Sequence, residues 1–131
     1  MFTHQEIERV FKSFEELTTI ELYSILQLRN EVFVVEQNCV YQDIDGKDKK
    51  SFHLMAWQDD QLTAYTRLVP PGISFIEASI GRVITSPKYR GLGIGITLME
   101  KSIHQIIAKF PFNSFVNIFY GHNLNQGISN V

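Results

Sequence analysis

The spacing of hydrophobic and polar residues predicts a secondary-structure element for most of this chain. Residues 5–14 are short and mixed in polarity, which favours an edge strand. Thr18 and Glu21 have the spacing of a capping box, in which two side chains bond each other's backbone amides where a helix starts. Apolar side chains then recur at helical spacing. They predict a helix that continues toward Arg29 and gives way to a β-branched patch at residues 32–35.

Extended segments dominate the middle of the chain. A polar region at residues 36–51 predicts a loop, and two extended segments follow it at about 52–58 and 61–69. Only a pair of aspartates separates these two segments, and such close spacing predicts an antiparallel hairpin. The run from Ile76 to Thr85 predicts a third long strand, which a Ser-Pro pair ends because proline cannot donate to a sheet.

The clearest helix follows a glycine-rich loop. Its apolar residues recur at intervals of four, three and four positions and share one helical face: Met99, Ile103, Ile106 and Phe110. A last extended segment at residues 114–120 predicts another strand. Strands in a meander, followed by a strand–loop–helix–strand unit, predict an α+β fold with a mixed, mostly antiparallel sheet. We expect a single domain over residues 1–131.

Composition and charge narrow the classes of function. A chain of 131 residues with 44% hydrophobic residues is long enough for one domain with its own core. The formal net charge of −2 argues against a nucleic-acid-binding protein, which usually carries a basic face. We find no signal peptide and no apolar run of membrane-spanning length, and we expect a cytoplasmic protein without membrane contact. The single cysteine, Cys39, fits a reducing compartment and is either a nucleophile or a small core residue.

The glycine loop indicates a chemistry more specifically than any other segment. Residues 90–95 read Arg-Gly-Leu-Gly-Ile-Gly, between a predicted strand and a predicted helix. Glycines at alternate positions remove the Cβ atoms that would keep an anion away from the backbone. The first turn of the helix adds unpaired amides and the positive end of the helix dipole. The loop therefore predicts a pyrophosphate site, although the glycines also suit a tight turn without a ligand.

Two common phosphate-binding patterns do not fit this loop. A P-loop needs Gly-Lys followed by Ser or Thr, which the chain lacks. A dinucleotide-binding fingerprint needs a third glycine where Ile96 stands, and it follows the first strand of its fold rather than the fourth. A module for another nucleotide stays open as an alternative.

The loop resembles the Arg/Gln-x-x-Gly-x-Gly/Ala signature of the GNAT superfamily of N-acetyltransferases. Other segments are similar to the ElaA-like branch in order and spacing: LR at 28–29, VFVVEQ at 32–37, YQDIDG at 41–46 and GRVI at 81–84. The resemblance covers roughly residues 20–110. It implies a GNAT-like fold and direct transfer of an acetyl group from acetyl-CoA, a co-substrate, to a primary amine. The acceptor would be a small molecule or a peptide, and no metal would take part.

The resemblance also implies where acetyl-CoA binds, in an opening between the central strands. The main chain of one strand would pair with the pantetheine arm, through Val83, Ile84 and Thr85. The loop and the start of the helix would hold the pyrophosphate: Arg90, Gly91, Leu92, Gly93, Ile94, Gly95 and Ile96. Within this set, Arg90 either adds positive charge or braces the loop.

The acceptor amine would lie beside residues 29–45 and the strand at 76–84. Glu36 is the first catalytic candidate, as a base or an amine anchor, or else a solvated loop acid. His53 is the second, as a proton shuttle near neutral pH, or else a structural histidine. The candidates for substrate binding are Arg29, Glu36, Asp43 and Arg82. Their charges would bind the acceptor, or else they pair within the fold and keep the loop soluble.

The segment after residue 120 departs from the family pattern. Residues 121–131 contain three Asn and two Gly, which do not suit an amphipathic helix. The family would place a helix with a tyrosine proton donor here, and then two more strands. We therefore expect an incomplete C-terminal part, weakened CoA binding, impaired turnover and a homodimer through an exposed strand at 114–120. The alternative to an active enzyme is a CoA-binding or self-associating remnant of the same fold.

Overall fold

The computed structural model describes residues 7–38, residues 42–111 and the backbone of residues 116–118. Five strands form one sheet in the order β1-β2-β3-β4-β5. They are β1 (Ile7–Ser13), β2 (Phe52–Gln58), β3 (Gln61–Val69), β4 (Ala78–Thr85) and β5 (Val116–Ile118). Two α-helices accompany the sheet, α1 (Thr19–Arg29) and α2 (Ile94–Lys109). Short 3-10 turns lie at Phe14–Glu16, Asp48–Lys50 and Pro87–Tyr89.

The strand pairing confirms the predicted α+β class and the mixed, mostly antiparallel sheet. Strands β1 to β4 form an antiparallel meander in which β1 lies at the edge, as predicted. The hairpin of β2 and β3 has the predicted bounds. Strand β5 runs parallel to β4, because α2 carries the chain back between them. The predictions for Cys39 and residues 121–131 lie outside the described residues, as do the ends of the predicted strand at 114–120.

Helix α1 begins as predicted but does not end where the β-branched patch begins. The Glu21 amide donates to Thr18 Oγ1 at 3.1 Å, and the Thr18 amide donates to Glu21 Oε1 at 2.8 Å, which completes the capping box. Beyond α1 the chain continues as a π-helix, Asn30–Glu36. Val32 and Phe33 are fully buried against the same cluster as Ile25 of α1. This burial outweighs the modest helix penalty of β-branched residues.

The sheet has a hydrophobic core on each face. Along β2, Leu54 and Ala56 pack in a cluster with α2, whereas Met55 and Trp57 pack in a cluster with α1 and the π-helix. Alternate residues of a strand point to opposite faces, so each helix covers one face. Among the described residues, none of the helices has the length and hydropathy that crossing a bilayer requires.

A bulge in β4 shapes the region between β4 and β5. The pairing with β3 shifts between Tyr65 and Arg67, where β4 contributes one extra residue. Arg82 lies in this bulge with a φ of 49°. Among the described residues, β5 pairs with β4 only from Ala78 to Ile80, before the bulge. A bulge bends and twists its strand, so β4 changes direction at Arg82.

Candidate functional site

The glycine loop leads from the end of β4 to the first turn of α2. Gly91 and Gly93 have φ values of 82° and 81°, in the left-handed region where an L side chain costs roughly 1–2 kcal/mol. No atom lies within 4 Å of the position that a Cβ would take at either glycine. Gly95 differs, because it is buried in the first turn of α2. The first two glycines therefore serve the loop conformation and leave its surface open to a ligand.

The N-terminus of α2 suits an anion. Gly93 is the N-cap residue, and no side chain caps the helix there. The first intrahelical bond runs from the Thr97 amide to the Gly93 carbonyl at 3.1 Å. The preceding amides, those of Ile94, Gly95 and Ile96, have no acceptor within the helix. The first turn carries no acidic residue, so nothing within it neutralises the positive end of the helix dipole.

Arg90 braces the loop through three hydrogen bonds. Its Nε donates to the Thr85 carbonyl at 3.0 Å, which ties the loop to the end of β4. Its Nη1 and Nη2 each donate to a carboxylate oxygen of Glu36 at 2.8 Å. We call this bidentate contact the surface pair, since the Arg90 and Glu36 side chains are 22% and 39% exposed. The hydrogen bond from Arg90 lowers the pKa of Glu36, so Glu36 is an ion-paired carboxylate in this structure.

Three other predicted residues lie in one closed cycle of ion pairs, which we call the charge ring. Its six members alternate in charge: Arg29, Asp48, Arg67, Asp45, Arg82 and Asp43. The six contacts are Arg29–Asp48 at 2.6 Å, Asp48–Arg67 at 3.0 Å, Arg67–Asp45 at 2.8 Å, Asp45–Arg82 at 3.3 Å, Arg82–Asp43 at 2.8 Å and Asp43–Arg29 at 3.0 Å. The ring joins the end of α1, strand β3, the β4 bulge and the loop at residues 42–48. Its formal charge is zero, because each arginine faces two aspartates.

The charge ring is largely buried. Arg29 has no exposed surface, and Nη2 of its guanidinium also donates to the Asp43 carbonyl at 2.8 Å. Burial acts to raise the pKa of Asp48, but hydrogen bonds and charge from Arg29 and Arg67 outweigh it and lower the pKa. The pKa of Asp45 is lowered in the same way, chiefly by Arg67. The predicted acceptor residues Arg29, Asp43 and Arg82 thus meet one another in this structure.

His53 is buried, and both of its ring nitrogens are engaged. Nε2 lies 2.9 Å from the Asp48 carbonyl, which can only accept, so Nε2 carries the proton. Nδ1 then accepts from the Tyr65 hydroxyl at 2.6 Å. Burial is the main cause that lowers the pKa of His53. The structure therefore contains a neutral histidine that links strands β2 and β3 to the turn at Asp48.

The predicted pantetheine residues turn their side chains into the core. Val83, Ile84 and Thr85 are each at most 2% exposed. Only the main chain of this segment is left for contact with a ligand. The side chains of Leu92 and Ile96, by contrast, are exposed at the glycine loop and the start of α2.

The charge ring was not predicted from the sequence, although one signal of it was present. Arg29 follows Ile25 by four residues, and this spacing puts it on the buried face of α1. A buried arginine needs carboxylate partners, and the loop at 42–48 offers three aspartates. Which aspartate meets which arginine does not follow from spacing. Among the described residues, no group of three His, Cys, Asp or Glu side chains could hold a metal ion.

A family model matches most of the chain. The model of the Acetyltransferase (GNAT) family matches residues 15–120. The curated protein ElaA of Escherichia coli is 44% identical over 98 residues, which are 73% of this chain and 64% of ElaA. A UPF0039 protein of Synechocystis is 41% identical over 107 residues, 81% of this chain and 70% of that protein. The chain thus spans about two thirds of the length of these relatives.

Solved structures agree with these matches. An acyl-CoA N-acyltransferase from Pseudomonas aeruginosa superposes with a TM-score of 0.77 at 44% identity, covering 82% of this chain and 75% of that one. The crystal structure of Escherichia coli ElaA also has a TM-score of 0.77, at 41% identity, with 82% and 74% covered.

Proposed function

Because the chain belongs to the GNAT acetyltransferase family and to its ElaA-like branch, we propose that it transfers an acetyl group from acetyl-CoA to a primary amine. The observation that carries this proposal is the open glycine loop, which leads into an uncapped helix N-terminus. The acceptor would be a small molecule or a peptide in the cytoplasm. Nucleic acid and membrane have no part in the proposal.

The pyrophosphate of acetyl-CoA would bind the main chain of the glycine loop. The amides of residues 91–96 are the proposed donors, and the open surface at Gly91 and Gly93 supports close approach by a charged group. Arg90 would add positive charge beside this site while its Nε still holds the end of β4. A diphosphate suits this site because several amides and one helix dipole act on it together.

The pantetheine arm would lie along β4 beyond the bulge. Main-chain groups of Val83, Ile84 and Thr85 are the proposed partners, since their side chains are buried. The bend that the bulge at Arg82 gives to β4 supports an opening on that side. This arrangement would aim the thioester at the β4 bulge.

The amine must lose a proton before it attacks. A lysine-like amine has a pKa of about 10.4, so it is almost fully protonated at neutral pH. Nitrogen would then attack the acetyl carbonyl, and the thiolate of CoA would leave and take up a proton. A main-chain amide of the strand at 76–84 would polarise the carbonyl. Glu36 and His53 are the candidates for taking this proton, and a water relay is the alternative, because both side chains are hydrogen-bonded within the fold.

The acceptor would bind beside the charge ring. Arg82 and Asp43 are the proposed contacts, since each keeps a small exposed fraction. Arg29, which is fully buried, would contribute by holding the loop at residues 42–48 rather than by touching the acceptor. Because the aspartates of this loop are ion-paired, their attraction for a cationic acceptor would be weak.

A second candidate function is CoA binding without acetyl transfer. The engaged state of both proton-transfer candidates favours it. Self-association through the predicted strand at 114–120 belongs to this alternative. A thiol-release assay over a panel of amines separates the two functions, because only an acetyltransferase releases CoA in response to an acceptor.

The glycine loop can be tested by adding one methyl group. Gly93→Ala places a side chain at a φ of 81°, so we expect CoA binding to fall about tenfold or more as the loop changes conformation. Isothermal titration calorimetry measures this. Gly72→Ala is the matched control, because Gly72 has a φ of 85° and equally open surroundings away from the loop. Unchanged affinity in Gly93→Ala would remove the loop from the proposed site.

A further inference from the structure

The surface pair joins the two halves of the proposed active site. Glu36 is the last residue of the π-helix Asn30–Glu36, and Arg90 is the first residue of the glycine loop. We infer that Glu36 is a positioning residue, which acts through Arg90 to fasten the π-helix to the loop. Coenzyme that binds at the loop would then also order the π-helix, which lies on the acceptor side of the site. This inference rests on the proposed function and assigns Glu36 a role other than that of catalytic base.

The geometry of Arg90 suits a connector. Its three hydrogen bonds reach the end of β4 and the end of the π-helix, which are 49 residues apart in the chain between Thr85 and Glu36. Both carboxylate oxygens of Glu36 accept from it, and a bidentate contact fixes orientation as well as distance. A guanidinium has five N–H groups, so two are left over for a phosphate oxygen. Arg90 can therefore hold Glu36 and contact the coenzyme at the same time.

The π-helix is firmly held at its inner side and less so at its end. Val32 and Phe33 are fully buried, whereas Val34, Val35 and Glu36 are exposed. Its last turn is closed by the Gln37 amide, which donates to the Val32 carbonyl at 3.0 Å. Asn38 follows with a φ of 53°, which a non-glycine residue rarely adopts. A side-chain contact at Glu36 thus acts where the exposed end of the segment meets the loop.

The electrostatics favour a positioning role over a catalytic one. Arg90 donates one hydrogen bond to each oxygen of Glu36, and these contacts hold the carboxylate in its charged form and in one orientation. The lowered pKa of Glu36 also weakens it as a proton acceptor. Uptake of a proton by Glu36 would remove the negative charge that Arg90 binds, and the contact between the π-helix and the loop would weaken.

Amide hydrogen exchange tests the coupling. In the ligand-free protein, we expect Glu36→Gln to speed amide exchange in residues 33–37 by up to about fivefold. This is the change in the local opening equilibrium that corresponds to the loss of one surface ion pair. Arg90→Lys should have the same effect, since lysine keeps the charge but lacks the planar fork. The matched control is Glu31→Gln, because Glu31 is an exposed acid of the same π-helix for which the described residues offer no ion pair. Unchanged exchange in both pair variants would overturn the inference.

Addition of CoA completes the test. In the unmodified protein, CoA should slow exchange in the glycine loop and in residues 33–37, whereas in Glu36→Gln it should slow exchange in the loop alone. Slowing of both segments in Glu36→Gln would overturn the inference while leaving the proposed function intact. If CoA did not slow exchange in the loop of the unmodified protein, the proposed function would be rejected. The ligand-free variants would still show whether Glu36 fastens the π-helix to the loop.

Kinetics separate positioning from base catalysis. A positioning role predicts that Glu36→Gln raises the KM for the amine and leaves the shape of the pH profile of kcat unchanged. Loss of the acidic limb of that profile, with KM unchanged, would identify Glu36 as the base and overturn the inference.

Discussion

Within the part of the chain that the structure describes, arginine meets carboxylate at two places, and the two differ in burial. The charge ring closes on itself, with Arg29 fully buried and six contacts between 2.6 and 3.3 Å. The surface pair is a single bidentate contact between partly exposed side chains. The same chemical groups should therefore act differently, because water screens the surface pair more than it screens Arg29 and Asp48 of the ring.

Because of this difference in burial, the charge ring should hold the structure in place, whereas the surface pair should be able to change when a ligand binds. A buried charge that loses its partner stays uncompensated, so the ring holds the loop at 42–48 and the β4 bulge in one arrangement. An exposed pair contributes little to stability and can respond to a nearby anion. The ring thus keeps the shape of the site constant, whereas the surface pair can transmit the presence of a ligand.

Breaking the ring should have the largest effect. Asp48 Oδ1 accepts from Arg29 at 2.6 Å and from Arg67 at 3.0 Å. We expect Asp48→Asn to lower the free energy of unfolding by about 3–5 kcal/mol, since it leaves two arginines short of a counter-charge. Urea unfolding measures this loss. Asp60→Asn, in the exposed hairpin turn, is the control and should change stability by less than about 0.5 kcal/mol. A loss as small as that of the control would show that the ring is not structural.

Acid should destabilise the protein in two steps, the first at His53 and the second at two aspartates of the charge ring. The folded-state pKa of His53 lies below its ordinary 6.5, so the unfolded chain binds more protons as the pH falls below that value. The pKa values of Asp45 and Asp48 lie below 3.8, so their stabilisation is complete above that pH and is lost as pH falls further. Urea midpoints between pH 7 and pH 3 measure both steps.

Two histidine variants test whether His53 causes the first loss of stability. His53→Gln should remove the loss of stability that begins near pH 6.5, because glutamine does not titrate. His104→Gln, on the exposed side of α2, should leave that loss in place. The assignment fails if both variants keep the same pH dependence.

The surface pair should give the smallest effect on stability. We expect Glu36→Gln to cost less than about 1 kcal/mol at low salt. In 1 M salt the Debye length falls to about 3 Å, and this cost should shrink further. The cost of Asp48→Asn should persist in the same salt, because the ring is buried. If salt weakens both variants equally, the contrast between the two sites is incorrect.

Local patterns predicted the elements well where their signals were strong. The hairpin strands, the capping box at Thr18 and the apolar face of α2 all follow from short-range spacing. The π-helix was missed, because the β-branched patch at residues 32–35 suggests the end of a helix. Burial of Val32 and Phe33 against the sheet stabilises the helical conformation of this segment.

The candidate site also has one part that the sequence located and one part that it did not. Gly91 and Gly93 have conformations that only glycine adopts readily, so the loop could be located from the residues alone. The partners of Glu36, His53 and Arg29 could not be located in that way. The side-chain partners come from other elements of the fold: Arg90 lies 54 residues from Glu36, and Tyr65 lies 12 residues from His53.

Residue type and spacing alone predicted strands β1 to β4, helix α2, the start of α1, the glycine turn and the resemblance to the family. The fold had to decide which charges are buried and with which partners they pair. The physical reason is that an ion pair depends on distance and solvent exposure in three dimensions. A carboxylate in a polar loop therefore has the same appearance in the chain whether it faces water, as Asp60 does, or lies in a closed ring, as Asp48 does.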